Sequence, residues 1–278
     1  MTFRTYHELD QSDRSEVGAQ VEMQRARLQG RLESVRSVVA VMSGKGGVGK
    51  SYVTALVAAA AARTAPDRIG VLDADLASPT VARMLGARGR LETATNGVRP
   101  VSARDGLRVV STEFLLAEDA PLKWREPRGD RWLWRGALAA GVLREFLAEV
   151  DWGPLDLLLI DLPPGIDGIV DVGTLLPKLD GVVAVTVPSE ESRRSVARAL
   201  EAALEAGLPV VGIVENMAGI ACEGCGTMAP LFEGDAGKRL AERFRVPLLG
   251  RLPFRQGAPS DPSPEGDALA LRVMEALS

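Results

Sequence analysis

The sequence predicts an α/β fold: a mostly parallel, twisted sheet of about seven or eight strands with helices on both faces. Two observations carry this expectation. From Val38 onward, short apolar runs alternate with helical patterns, in the order VVAVMS, IGVLDAD, LRVVST, LDLLLID, GVVAVTV, LPVVGIVEN and VPLLGRLP. Strands that are apolar throughout, rather than at every second position, belong to sheets covered on both faces. The chain's 278 residues are 46% apolar and 25% charged, a composition that suits one large domain able to bury a real core. That domain is expected over 37–278, behind an appendage at 1–36.

The elements follow in order. The appendage opens on the polar stretch MTFRTYHELDQSDRSE and then turns helical, with Val17, Val21, Leu28, Leu32 and Val35 at roughly helical spacing. RSVVAVMS is the first buried strand. YVTALVAAAAA, after a glycine-rich loop, is the first helix of the domain. Arg88 to Leu107 is rich in glycine and polar residues and is expected to be an irregular excursion. The last segment, GDALALRVMEALS, is an amphipathic helix whose only basic residue is Arg272, which suits core packing better than a membrane surface.

Between the first strand and helix lies GKGGVGKS, Gly44 to Ser51, which fits the phosphate-loop pattern G-x-x-x-x-G-K-[ST]. Gly44, Gly46, Gly47 and Gly49, with Val48 among them, let backbone N–H groups wrap a polyphosphate, and the helix N-terminus behind them favours the anion. Lys50 is expected to reach the β- and γ-phosphates of ATP, and Ser51 to ligate Mg²⁺. Lys45 is not needed in its own loop. A cation there suggests a group aimed at phosphates of a second subunit, as in a nucleotide-sandwich dimer.

Two acidic segments follow strands, and ligands of parallel sheets sit at the strands' carboxyl ends. In DADLASPT, Asp75 is chosen over Asp73 as the residue that positions attacking water or senses the γ-phosphate. In LLLIDLPPG, Asp161 ends an apolar strand and is placed as the carboxylate that holds Mg²⁺ through water. Pro163 and Pro164 stiffen the exit, and Gly165 is expected to offer its N–H to the γ-phosphate.

A third segment, ENMAGIACEGCG, begins with Asn216 at a strand end, where an amide can both donate to and accept from an adenine edge. Cys222 and Cys225 then stand at C-x-x-C spacing as candidate metal ligands. Two thiolates are half of a tetrahedral or cuboidal set. There is no other cysteine and the only histidine is His7, so the rest must come from a second subunit. A symmetric dimer would bring two such pairs together on its axis, around a [4Fe-4S] cluster or zinc.

Composition excludes other classes. A formal net charge of −4 gives no electrostatic reason to bind nucleic acid or an anionic membrane broadly. The stretch Lys123 to Gly136 mixes arginines with Trp124, Trp132 and Trp134, but Glu126 and Asp130 interrupt its charge, and packing of a loop or a dimer face is the expected role. No apolar stretch approaches a membrane span and the N-terminus is too polar for a signal peptide. Two clustered cysteines fit a reducing compartment, and a cytoplasmic protein is expected.

From about Val38 to the C-terminus, the ordered set GKGGVGKS, DADLASPT, WRGALAAGVLREFLAEVDWGPLDLLLIDLPPG and ENMAGIACEGCG resembles the Mrp/ApbC branch of the deviant-Walker P-loop NTPases, within the MinD/ParA superfamily. The resemblance implies a homodimer that binds and slowly hydrolyses ATP and delivers a [4Fe-4S] cluster to apo iron-sulfur proteins. It further implies that Lys45 is the signature lysine, Asp75 the switch I aspartate, Asp161 the Walker-B carboxylate, Asn216 an adenine contact, and Cys222 and Cys225 the cluster ligands. The chain departs from the pattern at Tyr52, at Ala77 and in DLPPGIDG, where an aspartate moves one place earlier, to Asp167. Two other functions share these features: a regulatory or positioning ATPase resembling MinD or ParA, and a nucleotide-gated zinc-bridged dimer.

Overall fold

The computed structural model describes residues 17–76, 78–115, 143, 146–166, 168–169, 172–173, 176, 178–221, 224–225, 227–255 and 257–277. His7, Ala77, the three tryptophans at 124, 132 and 134, Asp167 and Cys222 lie outside the described residues.

The α-helices described over their whole length are, in chain order, α1 (Val17–Leu32), α2 (Lys50–Thr64), α3 (Val81–Met84), α4 (Glu190–Glu205), α5 (Ala236–Phe244) and α6 (Pro264–Glu275). The apolar runs form β1 (Val35–Ser43) and β2 (Ile69–Asp73). A hairpin, β3 (Glu92–Ala94) and β4 (Gly97–Arg99), and a two-residue strand, β5 (Val101–Ser102), precede β6 (Arg108–Val110). Then come β7 (Leu155–Asp161), β8 (Gly181–Thr186), β9 (Val210–Glu215), a second hairpin of β10 (Ile220–Ala221) and β11 (Met228–Ala229), and β12 (Leu248–Arg251).

Eight strands form one sheet in the order β12-β9-β8-β1-β7-β2-β6-β5. Every pair is parallel except β5 with β6. All seven apolar runs are strands of this sheet. The eighth, β5, lies in the segment expected to be irregular, which also holds the β3–β4 hairpin. Strands of two or three residues are too short to leave a period in the sequence.

Successive side chains of a strand point to opposite faces, and both faces are covered. Val39 and Val41 of β1 pack with α2, α3 and α6, whereas Val38, Ala40 and Met42 pack with the face that carries α1, α4 and α5. α2 is buried from Val53 through Ala62, because sheet, α3 and α6 surround it. An alanine-rich sequence lets all three approach closely. Gly70 has a related reason: a Cβ there would meet Leu155 Cδ1 at 2.7 Å and the ring of buried Trp152 at 3.2 Å. α1 packs through Leu28 and Leu32, and Arg27 ion-pairs Glu149 at 3.0 Å. β1 begins at Val35, before the expected boundary at 37.

β1 is the switch point of the sheet. The chain passes from it to β2 on one side, and later crosses back to β8 on the other. The crevice beyond the carboxyl end of β1 is where an open parallel sheet binds its ligand, and the glycine-rich loop leaves β1 there.

Candidate phosphate-binding site

The loop Gly44–Gly49 joins β1 to α2. Gly47 and Gly49 have φ of 80° and 81°, in the left-handed region that glycine enters without a Cβ penalty. Gly44 is needed for closeness instead: a Cβ there would lie 2.2 Å from the Ser195 carbonyl carbon. The Ser195 hydroxyl donates to the Gly44 carbonyl at 2.8 Å, and the Ser43 hydroxyl donates to that of Lys45 at 3.0 Å. α4 and β1 therefore fix the loop from outside. Lys45 is exposed.

Inside, one carboxylate organises the base of the loop. Lys50 Nζ and Asp161 Oδ2 ion-pair at 2.7 Å, with 6% and 0% of their side chains exposed. The Ser51 hydroxyl donates to Asp161 Oδ2 at 2.6 Å and the Thr54 hydroxyl to Oδ1 at 2.7 Å. Sequence reasoning missed Thr54, although its place one helical turn after Lys50 is a usable signal. The donor set fits Mg²⁺, which takes one or two protein oxygens and completes its shell with phosphate and water. Ser51 Oγ and the Asp161 carboxylate are such oxygens, side by side.

Asp73 and Asp161 are register partners at the ends of β2 and β7. Burial, and then the Asp161 charge, push the Asp73 carboxyl up to about 7, against the N–H groups of Val81 and Thr80 and the Lys50 charge, which lower it. Asp75 lies beyond the strand end and faces a cleft of about 250 Å³ shared with the glycine-rich loop, Tyr52, Ser78, Thr80, Met84 and Pro164. Burial raises the Tyr52 phenol, with Arg255 lowering it and Glu265 raising it.

Two expected ligand contacts are placed differently. The Gly165 N–H, expected to face a γ-phosphate, donates to the Ser43 carbonyl at 3.0 Å, with φ at 104°; Gly165 is a turn residue that closes the β7 exit onto β1. Asn216, expected at an adenine edge, is buried and donates from Nδ2 to the Val48 carbonyl at 3.0 Å. A Cβ on Gly49 would sit 2.2 Å from that nitrogen. Asn216 braces the phosphate loop from the end of β9.

The chain then turns at Met217, φ 55°, into the β10–β11 hairpin, pairing Ile220 with Ala229 and Ala221 with Met228. CEGC belongs to the stretch between those strands. Cys225 is exposed, its Sγ 3.3 Å from Thr227 Oγ1. The Phe254 N–H donates to the Gly219 carbonyl at 2.7 Å, tying the hairpin base to the segment after β12. Ile220, Met228, Leu231, Phe232 and Phe254 are each 39–50% exposed around it. Among the described residues, no group of three or more His, Cys, Asp or Glu could hold a metal, and no helix is long and apolar enough to cross a membrane.

Fold and loop together define a phosphate-loop nucleotide-binding protein. The ParA-type family model described as NUBPL iron-transfer P-loop NTPase matches residues 34–272, and the chain belongs to that family. It is 37% identical to the iron-sulfur cluster carrier protein of Saccharolobus solfataricus over 87% of this chain and 79% of that relative. It is 38% identical to that of Methanococcus maripaludis over 87% and 81%. Among solved structures it is similar to an Archaeoglobus fulgidus nucleotide-binding protein in complex with ADP and with Co found, at 35% identity and a TM-score of 0.71, covering 88% of this chain and 92% of that one. MinD of Pyrococcus furiosus, at 19% identity and a TM-score of 0.55 over 87% and 98%, shares the fold.

Proposed function

We propose that this chain is a homodimeric, Mg²⁺-dependent ATPase that carries a [4Fe-4S] cluster between its two subunits and passes it to apo-proteins. The observation that carries the reading is the C-x-x-C pair of the sequence, at a hairpin that itself exposes Ile220 and Met228, in a chain belonging to an iron-transfer family. Exposed apolar surface of this kind marks an interaction site, and a two-fold axis through it supplies the second pair of thiolates.

ATP is the substrate of the first site. The loop amides and Lys50 hold its phosphates, since a phosphate oxygen is the same kind of partner for Lys50 as the Asp161 carboxylate at 2.7 Å. Ser51 and Asp161 hold Mg²⁺, which supplies charge neutralisation at the phosphates. Asp75 orients the attacking water, and Lys45, exposed at the loop's edge, reaches the phosphates bound by the partner subunit. Asn216 supports ATP binding through the loop it braces. No covalent nucleophile is required, because positioning and electrostatic stabilisation suffice for phosphoryl transfer to water. The cluster is the cargo of the second site, held by Cys222 and Cys225 of each subunit. The unit that does this is 37–278, with 1–36 as an appendage, and two clustered cysteines support a reducing compartment such as the cytoplasm.

The test is anaerobic reconstitution with iron and sulfide, with metal counted per dimer beside an ATPase assay. About four irons per dimer with a [4Fe-4S] spectrum are expected. Cys222→Ser or Cys225→Ser should abolish iron binding and leave ADP binding intact, and Lys50→Ala should do the reverse. A double cysteine variant that still assembles the full cluster refutes the cargo site; stoichiometric zinc that excludes iron identifies a zinc-bridged dimer instead.

A further inference from the structure

Asp73 is the last residue of β2, and its side chain is completely buried. It does not line the cleft that Asp75 faces. Its carboxylate is nevertheless fully engaged. Oδ2 accepts the N–H of Thr80 at 3.0 Å and of Val81 at 3.2 Å, and the Ser111 hydroxyl at 3.4 Å. Oδ1 accepts the N–H of Asp75 at 3.3 Å. The bonded amides lie at both ends of one excursion, which leaves the sheet after Asp73 and returns as α3. The excursion is also drawn together from within: the Ser78 N–H reaches Asp75 through Oδ1 at 3.1 Å and the carbonyl at 3.2 Å. Asp75, Ser78 and Thr80 are the residues it sends to the cleft.

We infer that Asp73 is a positioning residue for ATP hydrolysis: its buried carboxylate clasps the two ends of the 74–81 loop and so holds Asp75 over the phosphate loop. The inference rests on the ATPase reading above. Three features favour it over a role in general stability. Three of its four bonds, and the shortest, go to the backbone of one loop, and the fourth is the 3.4 Å contact from the Ser111 hydroxyl. Asp73 is the acceptor for the N–H groups of Thr80 and Val81, the N-cap and first residue of α3. On the sheet side, Asp73 is aligned with Asp161, whose own side chain holds Lys50 and Ser51. One pair of adjacent strand ends therefore sets the separation between Asp75 and the phosphate loop, and a shift of about 1 Å in such a distance can cost on the order of 100-fold in rate.

The test uses the full chain with Asp73→Asn, which keeps the shape and one acceptor oxygen, and Asp73→Ala, which keeps neither. Steady-state ATPase kinetics, ADP affinity and hydrogen exchange of the 74–81 amides are measured on each. Asp73→Asn should lower kcat about 10-fold and Asp73→Ala about 100-fold, with ADP affinity within about two-fold of wild type. Exchange should accelerate in the same order and be confined to 74–81. Wild-type kcat in both variants overturns the inference, as does a loss of ADP affinity parallel to the loss of kcat, which marks general damage to the fold. A wild-type protein that binds ADP yet shows no turnover removes the hydrolase reading and this inference with it, a result distinct from unaffected variants of an active enzyme.

Discussion

Replacing Lys50 by methionine should destabilise the protein even where no nucleotide is added, because Lys50 neutralises a carboxylate that has nowhere to shed its charge. Asp161 is completely buried, and its cationic partner among the described residues is Lys50 Nζ at 2.7 Å, itself 6% exposed. After the substitution the hydroxyls of Ser51 and Thr54 still donate to Asp161, but two hydroxyls do not balance a full charge. Lys50 also lowers the Asp73 carboxyl, so its loss drives Asp73 further up. Removing one partner of a buried pair costs about 3–5 kcal/mol, a large part of the 5–15 kcal/mol that holds a typical domain folded. The assay is urea unfolding followed by far-ultraviolet circular dichroism in EDTA, with Lys45→Met as the matched control. Lys45 is exposed, and its loss should change stability by about 0.5 kcal/mol or less. A cost below about 1 kcal/mol for Lys50→Met, or equal costs for the two lysines, would refute the argument.

Further outcomes follow from the same geometry. Asp73 ordinarily titrates at 3.8 but is raised to about 7 in the fold, so the native state keeps a proton that the unfolded chain has lost. Stability from this group is complete below about pH 4 and falls by about 4 kcal/mol as pH rises to 7; urea midpoints between pH 4 and 8 should show the slope, and Asp73→Asn should flatten it. Gly49→Ala places a Cβ 2.2 Å from Asn216 Nδ2 at φ 81° and should lower ADP affinity at least about 10-fold, measured by calorimetry. Asn216→Ala removes the 3.0 Å brace on Val48 and should weaken ADP by about 1 kcal/mol, whereas iron binding at CEGC should persist. Phe232→Lys, in the apolar surround of the hairpin, should shift the reconstituted protein toward monomer in light scattering without changing its unfolding midpoint.

How much of this was legible in the sequence depends on how local each feature is. The sheet was legible because its strands are apolar throughout, and the phosphate loop because its geometry is set within eight consecutive positions. β5 was not: Val101 and Ser102 pair with β6, and a pair of residues carries no period. Asp73 and Asp75 are two apart, which in an unbroken strand would put both on one side. β2 ends at Asp73, so the chain leaves the sheet between them, burying the first and turning the second to the cleft. The sequence offered both acids, and only the strand end separates a clasp from a cleft residue.

Gly165 and Asn216 show a different limit. A sequence displays a donor but not the acceptor that captures it, and here the acceptors are carbonyls more than a hundred positions away, on Ser43 and Val48. The captures tie two other strands' exits to the phosphate loop and its root: Gly165 from β7 to Ser43 at the end of β1, and Asn216 from β9 to Val48. The loop is thereby held on both flanks by backbone its own motif does not contain. The flank that carries Asn216 runs on through Met217 to Gly219 and into the hairpin that carries CEGC, whose base is pinned to the segment after β12. The two sites thus share one short, hydrogen-bonded stretch of chain, which makes Asn216→Ala the informative perturbation. If ADP changes the alkylation rate of Cys225 in wild type but not in Asn216→Ala at saturating ADP, the brace transmits occupancy of one site to the other. If both proteins respond alike, any coupling between the sites does not run through this brace.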